Sequence, residues 1–352
     1  MFSQAELERY SRQIALPAFG AEAQAKLKRS RVLIVGVGGL GCPASLYLAA
    51  AGVGHLTLVD DDVIQLSNLQ RQILFTQNSI AGNKASTAST ALINLNSNIK
   101  VDAVEQKFSA SNARALIRNA DLVLDCSDNF ATRYLLNDAC LLEGKAWLHS
   151  SLHQFSGQCA LFVPGGDCYR CLYPDVSESV PNCSEAGVLG VLPGILGTLQ
   201  ANEAIKYLCG LPTPLAEALL LVDALQLNFR KIARKVSTDC LCRKTEDIEL
   251  GVADNPEHPD QSIEVEKSNF EFLLKERMAQ VVDVREMYER QQYNIGGLHI
   301  PLADIERAAT QLDKHRPVLC YCQIGRRSQL AAESLRRLGF EAYSLKGGLE
   351  SH

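Results

Sequence analysis

Apolar positions predict a parallel α/β arrangement in the first part of the chain. Arg31–Val35 is a short β-branched run that leads into glycines, a helical pattern follows at 42–51, and a second strand pattern covers His55–Val59. A strand, a helix and a strand within about 30 residues form the unit of a parallel sheet. The same reading predicts strands at 101–104, 121–125 and 219–222, paired strands within 148–163, and helices at 84–95, 112–118 and 192–208.

The pattern changes after residue 242. Charged residues, a glycine and two prolines replace the apolar periodicity over 243–262, which is typical of a linker. A second, smaller α/β pattern then begins, with strands at 281–284, 318–321 and 342–345 and a helix at 328–338. We therefore expect two domains, 1–242 and 263–352, joined by the linker 243–262.

Composition and charge narrow the class of protein. The chain has 352 residues, of which 47% are hydrophobic and 21% charged, so it can bury a core and is not disordered. Its net charge of -5 gives no reason to expect nucleic acid as the main ligand. The N-terminus lacks a basic and then apolar signal pattern, and the most apolar stretch, 186–199, is shorter than the roughly 20 residues that span a bilayer. We expect a cytoplasmic protein without membrane contact, whose 12 cysteines are thiols or metal ligands.

A glycine motif follows the first predicted strand. Gly36, Gly38, Gly39 and Gly41 lie in a G-x-G-x-x-G pattern that opens a helix, and Asp60 ends the next strand. Glycines permit close approach of the backbone to phosphates, the helix N-terminus favours anions, and an acid at the second strand can bind ribose hydroxyls. The motif alone does not separate one nucleotide from another.

Residues outside the glycine motif favour a triphosphate ligand over a dinucleotide. The candidates for binding this ligand are Arg12, the run Ser67, Asn68, Leu69, Gln70 and Arg71, then Lys84, and Asp128 and Asn129 after a predicted strand. Two arginines, a lysine and a carboxylate suit ATP with Mg²⁺ better than a pyrophosphate diester. A nicotinamide-dependent dehydrogenase, or plain helix-surface charges, are the alternatives.

Two cysteine pairs predict a metal site. Cys168 and Cys171 form a C-x₂-C knuckle, and Cys240 and Cys242 form a C-x-C pair. Four thiolates in two pairs suit a tetrahedral structural Zn²⁺. The one-residue spacer of the second pair could leave Cys242 outside the site, and the alternative is two pairs of reduced thiols.

The segment from Arg9 to about Cys242 resembles the MoeB/ThiF family, prokaryotic relatives of ubiquitin-activating enzymes. The matching pieces are 9–14, 36–41, 67–72, Lys84, 125–129, 168–171 and 182–183 with 186–188. The family's second knuckle is C-x₂-C, so Cys240 and Cys242 depart from it. The resemblance implies a Rossmann-like, ubiquitin-activating-type adenylation domain with a mixed sheet.

The resemblance also assigns roles to single residues. It implies that ATP is bound by Gly39, Asp60, Asn68, Arg71 and Lys84, and that Asp128 handles Mg²⁺. It implies that Arg12 reaches the ATP of a neighbouring subunit, hence a homodimer. It places Cys183, in the polar loop 177–185, at the family's crossover-loop cysteine, which is proposed to link covalently to the activated partner.

The second domain carries a candidate reactive cysteine. Cys322 ends a predicted strand and Ser328 begins a predicted helix, with Arg326 and Arg327 between them. Backbone N–H groups, the helix dipole and the two arginines favour an anionic sulfur there, as a thiolate or a persulfide. The loop lacks the C-x₅-R spacing that wraps a phosphate. Cys320 is expected on the other strand face, in the core.

The range 263–352 resembles a single rhodanese domain. The matching pieces are 282–286, 295–302, 322–328 and 346–348. Together the two resemblances imply ATP-dependent adenylation of the C-terminal glycine of a small β-grasp sulfur carrier ending in Gly-Gly, then sulfur transfer from a persulfide on Cys322 to give a thiocarboxylate. A cysteine desulfurase is an expected sulfur donor. Carriers for molybdopterin synthesis, thiamine synthesis or tRNA thiolation all stay open.

Two further readings remain at this point. In one, the first domain only adenylates and the rhodanese domain serves another sulfur-transfer pathway. In the other, the chain is a zinc-stabilised docking scaffold without catalysis. The presence of Arg71, Lys84, Asp128 and Cys322 argues against the scaffold.

Overall fold

A computed structural model describes residues 2–174, 187–237, 240–245, 248, 250, 263–265, 270, 279–314 and 316–351. The chain forms two compact units, Met1–Pro256 and Glu257–His352. The linker bounds of 243 and 262 stay predictions.

The first unit is a three-layer α/β structure. Its helices are α1 Gln4–Ile14, α2 Gly20–Arg29, α3 Gly41–Ala51, α4 Lys84–Leu95, α5 Ala110–Arg118, α6 Phe130–Glu143, α7 Tyr169–Leu172 and α8 Val191–Cys209. Its strands are β1 Arg31–Val35, β2 His55–Val59, β3 Lys100–Val104, β4 Leu122–Asp125, β5 Ala146–His153, β6 Ser156–Phe162, β7 Ala218–Asp223 and β8 Asn228–Ala233. Short 3₁₀ helices lie at Leu66–Asn68, Gln77–Ser79, Pro214–Ala216 and Leu241–Arg243.

The eight strands form one sheet, and this sheet is mixed, as the family resemblance implied. The order is β3-β2-β1-β4-β5-β6-β7-β8, and pairing is parallel from β3 to β5 and antiparallel from β5 to β8. Two buried apolar clusters are described: one joins Val32 and Ile34 of β1 to residues of α3 and α8, and the other joins Leu33 and Val35 to residues of α5 and α6. Because β1 is covered on both faces, its sequence is a continuous apolar run rather than an alternating one.

Local sequence sets the helix ends. Ser3 and Glu6 form a capping box at the start of α1, and the Asn83 side chain accepts from the N–H groups of Ala85 and Ser86 at the start of α4. Gly144 ends α6 in a left-handed conformation that a residue with a Cβ adopts only with strain.

The second unit has a five-stranded parallel sheet. Its strands are β9 Glu264–Val265, β10 Gln280–Asp283, β11 Leu298–His299, β12 Val318–Tyr321 and β13 Ala342–Leu345, in the order β11-β10-β12-β13-β9. Its helices are α9 Met287–Gln292, α10 Ile305–Ala308 and α11 Arg326–Arg337, with 3₁₀ turns at Leu302–Asp304, Ala309–Gln311 and Gly348–Ser351. Val318, Cys320 and Ala331 belong to one buried cluster, and Leu319 and Tyr321 belong to another.

No helix in the described ranges is both long enough and apolar enough to cross a membrane. Residues 191–199 of the apolar stretch belong to α8, whose residues Leu192 and Leu196 are buried in the core.

Candidate functional site

The glycine loop lies at the carboxyl edge of the first sheet. It connects β1 to α3, and Asp60 and Asp128 follow the two strands that flank β1. Gly36 has a φ of +91°, and a Cβ there would lie 2.7 Å from the carbonyl oxygen of Cys126. A Cβ on Gly41 would lie 2.1 Å from the carbonyl oxygen of Gly36. The loop therefore closes tightly on itself and on the end of β4, which only glycine permits.

Asp60 holds this loop in place. Its Oδ2 accepts from the N–H of Val37 at 2.7 Å, and its Oδ1 accepts from the N–H of Asp62 at 2.9 Å. Burial raises the pKa of Asp60, and the hydrogen bond from Val37 opposes that rise. Each carboxylate oxygen can still accept a further hydrogen bond, so a ribose hydroxyl remains a possible ligand.

The run 67–72 packs over the glycine loop. A Cβ on Gly39 would lie 3.4 Å from Cγ of Arg71, and one on Gly38 would lie 3.7 Å from Nε2 of Gln72. The Gln72 side chain is 3% exposed, and its Oε1 has no hydrogen-bond partner in the described part of the chain. A buried amide oxygen without a partner costs free energy, so the position fits a ligand group that donates a hydrogen bond.

The other residues that were predicted to bind the nucleotide differ in their burial and in their hydrogen-bond partners. Asn68 is buried and its Oδ1 accepts from the N–H of Gln65 at 3.1 Å. Nζ of Lys84 lies 2.7 Å from Oδ2 of Asp62. Ser67 and Gln70 are exposed, and Leu69 is half-buried. Arg71 donates to the Ser67 carbonyl at 3.1 Å.

Asp128 and Asn129 begin the segment after β4. Asp128 is exposed, and Asn129 caps α6 by accepting from the N–H of Thr132 at 2.9 Å. Arg12 is exposed in the last turn of α1, so its action across a subunit interface stays a prediction. Carboxylate oxygens of Asp60, Asp61 and Asp62 lie within 4.8 Å of one another. Carboxylate oxygens are the hard donors that Mg²⁺ prefers.

A buried polar network underlies the loop that carries Asp128. His149 Nδ1 lies 2.8 Å from Oδ2 of Asp125, and Oδ1 of Asp125 accepts from the N–H of Ser127 at 3.0 Å and from its hydroxyl at 2.6 Å. Burial lowers the pKa of His149, and Asp125 opposes that shift. His149 itself is fully buried.

The four predicted metal cysteines come together. Sγ of Cys168 lies 3.9 Å from that of Cys171 and 3.4 Å from that of Cys240, and Sγ of Cys242 lies 3.5 Å from that of Cys171. All four sulfurs lie within 4.8 Å of one another. Four sulfurs bound tetrahedrally at ~2.3 Å from zinc are about 3.8 Å apart, so the cluster has the right size for one Zn²⁺. The short spacer does not remove Cys242 from the cluster.

Side chains of α6 fix the first knuckle. The N–H of Tyr169 donates to Oδ1 of Asn137 at 2.8 Å, and Arg170 donates to both oxygens of Asp138 at 2.9 and 2.7 Å. In the thiol form, burial and the hydrogen bond with Cys240 raise the pKa of Cys242 to about 12. Metal binding must therefore displace protons from the cluster.

Cys322 lies at the carboxyl edge of the second sheet, directly after β12. Its Sγ is fully buried and accepts from the N–H and the hydroxyl of Ser328, each at 3.4 Å. The helix begins at Arg326, two residues before the predicted start. A Cβ on Gly348 would lie 2.5 Å from the carbonyl oxygens of Cys322 and Gln323, so glycine is required where the chain passes the loop.

One sequence expectation for this loop is corrected. Cys320 is buried, but it belongs to the same apolar cluster as Cys322 rather than to the other strand face, because residues two apart in a strand share a face. Arg327, beside Ser328, pairs with Glu289 at 2.6 and 2.7 Å. Cys183 lies outside the described residues.

Sequence reasoning missed several residues of these sites. The pattern of 67–72 predicts no separate role for Gln72, and no motif points to Glu289. The links between His149 and Asp125 and between Glu289 and Arg327 join positions far apart in the chain, so no local pattern signals them.

Comparisons with known proteins agree with this geometry. Residues 10–243 match the sequence profile of the ThiF family, and residues 269–351 match that of the rhodanese-like domain. The chain is 40% identical over 377 aligned residues to the adenylyltransferase and sulfurtransferase MOCS3 of Drosophila persimilis, covering 98% of this chain and 83% of the relative. It is 45% identical over 237 residues to the SAMP-activating enzyme E1 of Haloferax volcanii, covering 67% of this chain and 88% of the relative.

Solved structures show the same fold in the first unit. A crystal structure of E. coli MccB with AMPCPP and MccA has a TM-score of 0.59 and 25% identity, covering 66% of this chain and 73% of that one. A crystal structure of E. coli MccB with ATP has a TM-score of 0.58 and 23% identity, covering 68% and 74%.

The fold and the two sites define a two-unit enzyme with a nucleotide-binding α/β unit and a sulfur-transfer unit. The chain belongs to the ThiF family and carries a rhodanese-like domain. It is an adenylyltransferase and sulfurtransferase.

Proposed function

We propose that this enzyme adenylates the C-terminal glycine of a small β-grasp sulfur carrier ending in Gly-Gly and then passes sulfur to it from Cys322. The proposal rests on two features that occur on one chain. The first is the glycine loop held by Asp60, and the second is Cys322 next to the N-terminus of a helix. Neither half alone makes a thiocarboxylate.

In the first step, a carboxylate oxygen of the carrier attacks the α-phosphorus of ATP. A C–O–P linkage forms, the bond from that phosphorus to the bridging oxygen breaks, and pyrophosphate leaves with the electron pair. The residues proposed to bind ATP are Gly36, Gly38, Gly39, Gly41, Asp60, Ser67, Asn68, Leu69, Gln70, Arg71, Lys84, Asp128, Asn129 and Arg12 of the partner subunit in a homodimer. Arg71 and Lys84 stabilise the charge that moves onto pyrophosphate.

The proposal includes two metals. A magnesium ion bound with ATP would supply further charge stabilisation, and we assign Asp128 to hold it because its exposed carboxylate follows the strand next to the glycine loop. Zinc at Cys168, Cys171, Cys240 and Cys242 would be structural, since four sulfur ligands leave no open position.

In the second step, a persulfide on Cys322 attacks the carbonyl carbon of the adenylate. A C–S bond forms and AMP leaves, which gives an acyl disulfide between the carrier and Cys322. A second thiolate then attacks the Cys322 sulfur and releases the thiocarboxylate, and the resulting disulfide is reduced by an external dithiol. We assign Cys183 as a catalytic candidate for that thiolate.

The relatives support the carrier class. One is named for activating SAMP, and another is named both adenylyltransferase and sulfurtransferase. We propose a cytoplasmic homodimer that receives sulfur from a persulfide donor such as a cysteine desulfurase.

The test is a reconstitution with ATP, Mg²⁺, a persulfide donor and a candidate carrier recovered by pull-down. Intact-mass analysis should show one carrier oxygen replaced by one sulfur, only when ATP is present. A carrier that becomes adenylated but never gains sulfur would favour adenylation alone, with the rhodanese unit serving another pathway.

A further inference from the structure

Glu289 and Arg327 form a two-pronged ion pair beside the Cys322 loop. Oε1 of Glu289 lies 2.6 Å from Nη2 of Arg327, and Oε2 lies 2.7 Å from Nη1. Arg327 lies in the first turn of α11, next to Ser328, which contacts the Cys322 sulfur. Glu289 belongs to α9, which follows β10, the strand beside β12. Both residues therefore lie at the edge of the sheet where sulfur is exchanged.

The position of Glu289 is fixed independently of Arg327. Its Oε2 also accepts from the N–H of Glu286 at 3.0 Å and so caps the start of α9. Hydrogen bonds from Arg327 keep the pKa of Glu289 below its ordinary value, although burial opposes this. Glu289 therefore stays ionised at neutral pH, and its charge stays opposite that of Arg327.

A second acid compensates the neighbouring arginines in the same way. Oδ2 of Asp283 lies 2.9 Å from Nη2 of Arg285 and 3.5 Å from Nη1 of Arg290. Arginines are frequent around this edge, and the two carboxylates of Asp283 and Glu289 offset two of their positive charges. An approach to the Cys322 loop whose positive charge is partly offset attracts a dianion less than an uncompensated one does.

We propose that Glu289 determines the donor preference of the Cys322 site, by offsetting the charge of Arg327 and so disfavouring small dianionic sulfur donors relative to persulfides of lower charge. This inference rests on the proposed sulfur-carrying role of Cys322. Glu289 acts through Arg327, so it is a positioning and specificity residue rather than a catalytic one.

The same group transfer occurs with either donor. With thiosulfate, the Cys322 thiolate attacks the sulfane sulfur, its S–S bond to the sulfonate sulfur breaks, and sulfite leaves with the electron pair. With an organic persulfide, the thiolate attacks the terminal sulfur and the donor thiolate leaves. Cyanide then removes the sulfane sulfur as thiocyanate and restores the thiolate.

The experiment compares two donors with wild-type protein and Glu289→Gln. One donor is thiosulfate, a dianion, and the other is the persulfide of N-acetylcysteine amide, whose only charge is on sulfur. The amide of Gln retains an acceptor for the cap of α9 while it removes the charge. The electrostatic contribution to the free energy of binding is proportional to the charge of the donor. In Glu289→Gln, the KM for the doubly charged thiosulfate should therefore fall roughly fourfold if the KM for the singly charged persulfide falls roughly twofold. The kcat should stay within about twofold of wild type for both donors.

Glu341→Gln is the matched control. It removes one exposed carboxylate next to the start of β13, at the opposite edge of the same sheet, and should leave both KM values unchanged. An equal change for the two donors, or no change in Glu289→Gln, would overturn the donor-preference proposal. Absence of any persulfide on wild-type Cys322 would instead overturn the proposed function.

Wild-type protein provides a second test if the variant does not fold. The KM for thiosulfate should rise by no more than about threefold between 20 and 200 mM ionic strength, because the two carboxylates leave less positive charge for salt to screen. A larger rise would show a strongly cationic approach to the Cys322 loop and contradict the proposal.

Discussion

The imidazole of His149 and the carboxylate of Asp125 meet at 2.8 Å with both side chains fully buried. Asp125 ends β4, and its other oxygen holds Ser127, the residue before Asp128. The pair therefore joins the core of the first unit to the loop on which the proposed Mg²⁺ residue lies.

The first prediction concerns pH. Because burial lowers the pKa of His149 below 6.5, the unfolded state takes up a proton on this residue at a higher pH than the folded state does. The free-energy cost of keeping His149 neutral in the folded state is absent above pH ~6.5 and grows as the pH falls below that value. The free energy of unfolding of wild type should therefore fall more steeply below pH ~6.5 than that of His149→Gln. Fluorescence of Trp147, the one tryptophan and a buried neighbour of His149, should report melting of this unit. The exposed His153→Gln should keep the wild-type slope, and parallel curves for wild type and His149→Gln would refute the argument.

The second prediction concerns adenylation. Asp128→Ala should lose nearly all carrier-dependent exchange of pyrophosphate into ATP, because the metal-bound phosphates lose an anchor. Glu22→Ala removes an exposed acid on α2 and should keep full exchange. Exchange at the wild-type rate in Asp128→Ala would remove this residue from the site.

The third prediction concerns the cysteine cluster. Protein purified without chelator should contain about one zinc per chain, and stripping the metal should lower the melting temperature reported by Trp147. Cys242→Ser should weaken zinc retention against a competing chelator, since its sulfur lies within the cluster. Cys209→Ser changes a buried cysteine outside the cluster and should retain zinc. Elemental analysis without zinc in wild type would defeat the assignment.

The fourth prediction separates the two activities. Cys322→Ala should keep pyrophosphate exchange yet form neither thiocyanate from thiosulfate and cyanide nor thiocarboxylate. Cys320→Ala deletes a sulfur two residues away and should still form thiocyanate, because that thiol lies inside β12 rather than in the loop after it and burial raises its pKa. Undiminished sulfur delivery by Cys322→Ala with a persulfide donor would favour adenylation alone, with the rhodanese unit serving another pathway.

The fifth prediction concerns the second thiol. Cys183→Ala should retain exchange and thiocyanate formation but slow the release of thiocarboxylate, because the acyl disulfide then waits for an external thiol. Intact-mass analysis over time should show the carrier still attached to Cys322. Equal release rates in variant and wild type would exclude Cys183 from this step.

The sequence predicted much of the fold because buried parallel strands read as continuous apolar runs. His55–Val59, Val318–Tyr321 and Ala342–Leu345 have the predicted bounds. Strand β8 was missed because all its residues are exposed and two adjacent charges interrupt its pattern. Strands β9 and β11 are two residues long, too short to produce a period.

The sites were predictable where the chemistry is local. The glycine loop and the Cys322 loop each depend on a short segment between a strand and a helix. The partners of these loops come from elsewhere: Glu289 is brought to Arg327 by the pairing of β10 with β12, and His149 to Asp125 by the pairing of β4 with β5. Such contacts follow from tertiary structure and leave no trace in local spacing.

Strand β8 ends the first sheet, and no described strand pairs with its outer edge. A free edge presents unpaired N–H and C=O groups that another chain can extend into an aggregate. Arg230 and Lys231 lie in the middle of this strand, so an identical edge from a second molecule would bring like charges together. These two residues should keep concentrated protein from polymerising through its sheets, a role in solubility that is separate from either reaction.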